Sequence, residues 1–121
     1  MSLIVEDGTI VPGAESYISV ADASAYHTAR GNAAWAALAS DAVREQCLRK
    51  ATDYMEQVYR SRWQGCRVGE TQALSWPRYD VEVEGYAIDS DVVPTEVKNA
   101  CAELALKVSS AELLADQSQG V

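Results

Sequence analysis

Two stretches of the chain repeat apolar residues at intervals of three and four, which places those residues on one face of an α-helix. The longer stretch, about 41 to 62, has its apolar stripe at Val43, Cys47, Leu48, Ala51, Tyr54, Met55, Val58 and Tyr59. The other, about 95 to 113, has its stripe at Val97, Ala100, Cys101, Leu104, Val108 and Ala111. Ser40 and Pro94 stand before them and are typical of helix starts. The pattern predicts two amphipathic helices that bury these stripes in one core.

A shorter helix is predicted near the N-terminus, over about 20 to 30. Ser19 is its expected N-cap, and Asp22 lies where its carboxylate can accept hydrogen bonds from unpaired amides of the first turn. Gly31 is expected to end it. Residues 32–38 then predict a further helical turn or two, in which Trp35 packs against the core.

The first sixteen residues are predicted to be non-helical. Asp7-Gly8 separates two short apolar runs, which favours a β-hairpin turn. The alternative is an extended N-terminal arm that pairs elsewhere. At the other end, residues 115–121 are polar and are expected to fray.

Residues 59–96 interrupt the helical periodicity with glycines, prolines and aromatics. Short strands are expected at Gln72–Trp76 and Gly85–Ile88. The predicted fold class is therefore mainly α: one domain over 1–121, a small helical bundle with a long central helix, a C-terminal helix, and short strands in the N-terminal segment and the 59–93 excursion.

The composition is acidic, with 18 Asp and Glu against 10 Lys and Arg and a net charge of −8. Nonspecific nucleic-acid binding draws on Lys and Arg contacts to phosphate, so this balance opposes it unless one face is basic. Three widely spaced cysteines and the lack of a secretory leader favour a reducing cytoplasm. No apolar run reaches the length of a membrane span, so we expect a soluble protein with no membrane partner.

Charge is polarised within the excursion. Residues 59–79 hold four bases and one acid, whereas residues 80–96 hold six acids and no base. Opposite blocks of this kind are candidate contacts between subunits, and the candidate residues are Arg60, Arg62, Arg67, Arg78, Asp80, Glu82 and Glu84.

Candidate chemistry is sparse. His27 is the only histidine and no Cys-x-x-Cys is present, so neither a metal site nor a cofactor is expected. Nothing local positions Cys66 against His27 as a nucleophilic pair. The alternation of Asp80, Glu82 and Glu84 favours a solvated strand face over an acid/base pair or a divalent cation site. We therefore expect no enzyme.

Aromatic residues interleaved with the arginines offer one further possibility, a groove on which unpaired bases stack. The candidates are Trp63, Trp76, Tyr79 and Tyr86. The competing interpretation is a small aromatic core over the helices. It explains Trp63 and Trp76 better, since Trp63 continues the apolar face of the long helix and Trp76 precedes a proline.

Several motifs resemble one known family. They are Tyr17–Tyr26, Arg30–Trp35, Ala51–Tyr54, Tyr59 with Arg62, Trp63 and Gly65, Gln72–Arg78 (Gln-Ala-Leu-Ser-Trp-Pro-Arg), Gly85–Tyr86, Val93–Pro94 and Glu103–Ala105. Together they are similar to small head-to-tail connector proteins of tailed bacteriophages and prophages.

That resemblance implies a structural adaptor of virion assembly. It implies an all-α protein that forms a homo-oligomeric ring beneath the portal protein and contacts tail-side connector proteins. Phage DNA would pass through the ring without tight binding. The protein would be found in the host cytoplasm and at the head–tail junction of the virion. The same sequences are also described as similar to DnaT-like single-stranded-DNA-binding proteins, which is the alternative function. The negative net charge favours the connector over the strand-binding protein.

Overall fold

A computed structural model describes residues 3–110. The helices are α1 (Val20–Ala29), α2 (Ala33–Ala36), α3 (Asp41–Tyr59) and α4 (Thr95–Ser110). Between α3 and α4 lie two antiparallel pairs of short strands, β1 (Cys66–Arg67) with β2 (Arg78–Tyr79) and β3 (Glu82–Val83) with β4 (Tyr86–Ala87). This confirms the mainly α fold. The predicted fraying tail, and the end of the C-terminal helix beyond 110, lie outside the described residues.

The core is formed chiefly by α3 against α4, the most extensive contact between elements. Leu48, Ala51 and Met55 of α3 are buried, as are Cys101 and Ala105 of α4. These residues come from the two apolar stripes or lie one position from them, so burial of the stripes drives the pairing, as predicted.

The predicted caps are present. Ser19 Oγ accepts a hydrogen bond from the Asp22 amide at 3.0 Å, and Ser40 Oγ accepts one from the Val43 amide at 3.3 Å. Each satisfies one of the amides that a helix start leaves unpaired. Trp35 of α2 is buried, as expected, and its indole N–H donates to Ser24 Oγ.

The predicted N-terminal hairpin is not formed. Residues 3–16 make an irregular loop with one isolated parallel bridge, Val5 to Ser16. The physical reason is Glu6, whose fully buried carboxylate accepts hydrogen bonds from the backbone amides of Gly8, Ile10 and Val11, each at 2.9 Å. Amides held by a side chain are not available to a strand ladder.

The strand predicted at Gln72–Trp76 is also absent, and the segment is an irregular loop with a cis peptide bond before Pro77. Its polar groups are satisfied by side chains: the Ser75 amide donates to Glu56, and the Leu74 carbonyl accepts from Gln72. The strand predicted at Gly85–Ile88 is confirmed as β4.

Within residues 3–110, no helix combines the length and the apolar character needed to cross a membrane.

Candidate functional site

The loop from 72 to 78 is fixed from within by Gln72. Its side-chain nitrogen donates to the carbonyls of Leu74 and Pro77 at 2.8 and 2.9 Å, and its oxygen accepts from the Gly69 amide at 2.7 Å. Gln72 is buried, so each bond replaces a contact with water that the fold has removed. Gln72 therefore stabilises the shape of this loop by hydrogen bonds within it.

Arg78 also stabilises the excursion through hydrogen bonds to backbone carbonyls. It is 8% exposed, and its guanidinium donates to the carbonyls of Gln64, Gly65 and Ser75. The planar fork of donors suits three carbonyls in fixed positions. Burial of its charged end within its own chain leaves Arg78 little surface for a contact with another subunit, and that contact stays a prediction.

Trp63 and Trp76 form a line of edge-to-face aromatic contacts with the end of α3. The ring centroids of Tyr59 and Trp63 are 5.9 Å apart, and those of Trp63 and Trp76 are 5.4 Å apart. Trp76 lines the second cavity but is only 4% exposed, so it offers little surface for stacking, and its candidacy as a stacking residue stays a prediction. The small aromatic core is confirmed for Trp76, and Trp63 is half-buried at its surface.

Two adjoining cavities meet at Trp63, and we refer to them together as the Trp63 groove. One, of about 330 Å³, lies between the end of α3 and the start of α4. The other, of about 290 Å³, opens toward the β3–β4 pair. Their lining is largely apolar, and both are bordered by Arg62, Trp63, Glu96 and Val97. The groove thus offers an aromatic edge, apolar walls and one charge of each sign.

The two tyrosine candidates are exposed. Tyr79 is paired with Cys66 in the β1–β2 pair and is 44% exposed. Tyr86 is 77% exposed and stands opposite Val83, which lines the second cavity. Residues directly opposite each other in an antiparallel pair project to the same side. Tyr86 therefore projects to the same side of the β3–β4 pair as Val83, although Tyr86 itself lines neither cavity.

The basic candidates divide into separate groups. Arg62 borders the Trp63 groove and is exposed, whereas Arg60 and Arg67 border a different, polar cavity of about 460 Å³. Arg67 also donates to the carbonyls of Glu70 and Gln72 at 3.3 Å. The positive block seen in the sequence is therefore not one continuous face.

Asp80, Glu82 and Glu84 are exposed, as a solvated face requires. Regular alternation is broken, however, because Asp80 and Glu84 adopt positive φ values of 62° and 54°. Val81 is buried and Val83 is 47% exposed, and both line the second cavity of the Trp63 groove. No group of three or more potential metal ligands occurs among residues 3–110.

The polar cavity contains a carboxylate that sequence analysis missed. Glu56 accepts hydrogen bonds from the Tyr17 hydroxyl and, at 3.0 and 2.8 Å, from the amide and hydroxyl of Ser75. Burial, together with the Glu56 charge, raises the pKa of Tyr17 far above its usual range. Nearby, partial burial and then the charges of Glu56 and Glu15 raise the pKa of Asp53. The position of Glu56 on a regular helix face gave no sequence signal for this role.

His27 and Cys66 lie in different surroundings. The buried His27 ring has one nitrogen 2.9 Å from the Ala102 carbonyl and the other 2.9 Å from the Asn32 amide nitrogen. Both ring nitrogens are thus engaged where α1 meets α4. Cys66 is an exposed free thiol on β1.

Glu96 was also missed as a candidate. It was counted only as one acid of the negative block, because its closeness to Trp63 depends on how α4 packs against the end of α3. No local spacing could reveal that.

Comparison with curated proteins and with solved structures found no match. A protein-family model does match, over residues 1–121, and its description is “Putative DnaT-like ssDNA binding protein”. This match supports the alternative raised from the sequence and gives no support to the phage connector, so the ring, the portal and the tail-side partners stay predictions. Since the match covers all 121 residues, the chain belongs to the DnaT-like family of that description.

Proposed function

We propose that this protein binds single-stranded DNA, and that unpaired bases enter the Trp63 groove. The family description supports the class of ligand. The observation that carries the site is the pair of apolar cavities that meet at a half-buried tryptophan and are bordered by the exposed Arg62.

Stacking and charge contribute to binding in different ways. Aromatic side chains bind bases of any sequence through their π-faces, while arginines neutralise the phosphates between them. A duplex hides the faces of its bases within the stack, so the groove favours single strands. Tyr86, opposite the cavity-lining Val83, and Tyr79, on the other strand pair, add exposed aromatic surface.

Affinity should be modest and strongly dependent on salt. The net charge of −8 repels phosphate at long range, and few exposed arginines are available for contacts. Affinities typical of weak nonspecific complexes, with dissociation constants on the order of 1 to 100 µM at physiological salt, are therefore expected.

We also propose that the protein acts without catalysis. In support, the ring nitrogens of His27 contact the Ala102 carbonyl and the Asn32 side chain, and neither contact involves the exposed Cys66 on β1. A nucleophile needs a base within hydrogen-bonding reach, and neither residue supplies one for the other.

The test is the variant Arg62→Glu, measured by fluorescence anisotropy with a labelled single-stranded oligonucleotide over a range of salt concentrations. Loss of one phosphate contact should reduce the slope of log affinity against log salt by about 0.7 and weaken binding at low salt. Arg30→Glu is the matched control, because Arg30 is an exposed arginine of the α1 C-terminus that borders neither cavity.

Equal effects of the two variants would contradict the proposed site, since they would reflect net charge alone. No detectable binding of the wild-type protein at low salt would contradict the function itself. Circular dichroism of each variant checks that the helices persist.

A further inference from the structure

Glu96 occupies an unusual place in the Trp63 groove. It lies in the first turn of α4, is exposed, and borders both cavities, whose other lining is mostly aromatic and aliphatic. Among residues 3–110 its carboxylate has no hydrogen-bond or ion-pair partner within the protein. A free acceptor thus faces the space in which the bases are proposed to lie.

The other polar groups at the groove are differently placed. The Gln64 side-chain oxygen accepts a hydrogen bond from the Glu82 amide at 3.1 Å, so this acceptor is already engaged. Arg62 offers only donors. Glu96 is therefore the one carboxylate among the described residues that line the two cavities; the Tyr59 hydroxyl, which lines the first cavity, offers a single neutral oxygen and cannot accept from two adjacent donors as a carboxylate does.

We infer that Glu96 selects among bases, by accepting hydrogen bonds from the Watson–Crick edge of a base held against Trp63, and that guanine is the base it favours. This inference rests on the proposed function, because it requires that bases enter the groove. It adds a sequence preference, which stacking on aromatics alone does not supply.

The preference follows from the donors that each base presents. Guanine has two adjacent donors, its ring N1–H and its exocyclic amino group, which match the two oxygens of one carboxylate. Cytosine and adenine each offer an amino group beside an acceptor nitrogen. Thymine offers a single N–H between two carbonyl oxygens, which repel a carboxylate. A bidentate pair discriminates between bases far better than a single hydrogen bond.

A carboxylate in a DNA site also repels the phosphates. Arg62 borders the same two cavities and supplies a compensating positive charge. Repulsion between Glu96 and the phosphates weakens binding to every sequence equally, whereas the hydrogen bonds of Glu96 form only with bases that carry donors. Removing the charge should therefore strengthen binding to thymine and weaken the preference for guanine.

The experiment compares an oligo-dT strand with the same strand carrying isolated guanines, which are too dispersed to form quadruplexes, and with a third strand in which inosine replaces each guanine. Anisotropy with wild-type protein should show about fivefold or tighter binding to the guanine strand than to oligo-dT. Inosine lacks the exocyclic amino group, so the inosine strand should show little of this increase in affinity over oligo-dT.

The variant Glu96→Gln should bring the guanine-to-thymine ratio close to one. Glu84→Gln is the control, since it makes the same change of charge at an exposed acid that lines neither cavity, and it should leave the ratio unchanged. A role for Glu96 in stabilising the start of α4 alone would lower thermal stability and leave the ratio unaltered.

Two results would overturn the inference while leaving the proposed function intact: equal affinity of wild-type protein for the guanine and thymine strands, or a guanine preference that survives Glu96→Gln. If wild-type protein binds none of the three strands, the proposed function fails and the inference fails with it.

Discussion

Glu6 shows how one buried side chain can determine the path of a segment. Its carboxylate is completely buried, and its three acceptor contacts go to backbone amides within the next five residues. Hydrogen bonds to a charged group are individually stronger than those between neutral groups. The loop at 6–11 is therefore organised around this carboxylate.

Replacing Glu6 by alanine should lower the free energy of unfolding by about 3 kcal/mol, because three amides lose their acceptor in a buried place. Urea denaturation followed by circular dichroism measures this. The control is Asp7→Ala, at an exposed neighbour whose carboxylate accepts only from the amide and hydroxyl of Thr9. A loss as small for Glu6→Ala as for this control would contradict the role assigned to Glu6.

At the scale of elements, the β1–β2 pair depends on a close approach at Gly65. This residue has a φ of 68°, and a Cβ there would lie 1.9 Å from the Tyr79 carbonyl oxygen. The Gly65 carbonyl also accepts from Arg78 at 2.9 Å. Backbone conformation and contact together require glycine at this position.

Gly65→Ala should therefore cost more stability than Gly85→Ala. Gly85, in the β3–β4 turn, has a φ of 85°, but a Cβ added there would meet no atom within 4 Å, so its substitution carries only the conformational cost, about 1 kcal/mol. The shift in thermal midpoint of the two variants gives the comparison. Equal shifts would mean that the contact with Tyr79 adds nothing.

At the scale of the whole molecule, Glu56 links three segments that are distant in sequence. From α3 its carboxylate binds Tyr17 of the N-terminal segment and Ser75 of the excursion, and the Trp76 amide donates to the Tyr17 hydroxyl at 3.3 Å. The position of Trp76, and through it of Trp63, therefore depends on this network.

Glu56→Ala should lower the free energy of unfolding by about 2 to 4 kcal/mol, since it leaves the buried Tyr17 hydroxyl and the Ser75 donors without their acceptor. Gln57→Ala, at an exposed position of the same helix, should change stability by less than about 0.5 kcal/mol. Chemical denaturation measures both. Similar values for the two variants would show that the network contributes no more than an exposed side chain does.

The distribution of charged residues on the folded molecule differs from their distribution along the sequence. The sequence suggests one positive block followed by one negative block. In the fold, Arg78 is buried, Arg62 borders the Trp63 groove, and Arg60 and Arg67 border the polar cavity. The acids of the second block remain exposed. Linear charge counts therefore overstate the basic surface available to a partner.

The helices were predictable because their signals are local. Ser19 and Ser40 cap α1 and α3 as expected, and the apolar stripes of α3 and α4 form the buried contact. Spacing of three and four residues fixes a helix face without reference to the rest of the chain. The packing of Trp63 and Trp76 was predictable too, from a helix face that continues past Tyr59 and from the proline after Trp76.

Other features were decided only by the tertiary structure. Asp7-Gly8 has the local signal of a hairpin, but the burial of Glu6 provides its neighbouring amides with a different acceptor. Glu56 and Glu96 resemble any solvated helix acid in the sequence, because their roles depend on segments brought beside them by folding. The sequence by itself determined the helices, their caps and their buried faces. Tertiary packing decided the paths of the loops, the place of each arginine and the Trp63 groove, because these features depend on contacts between residues far apart in the chain.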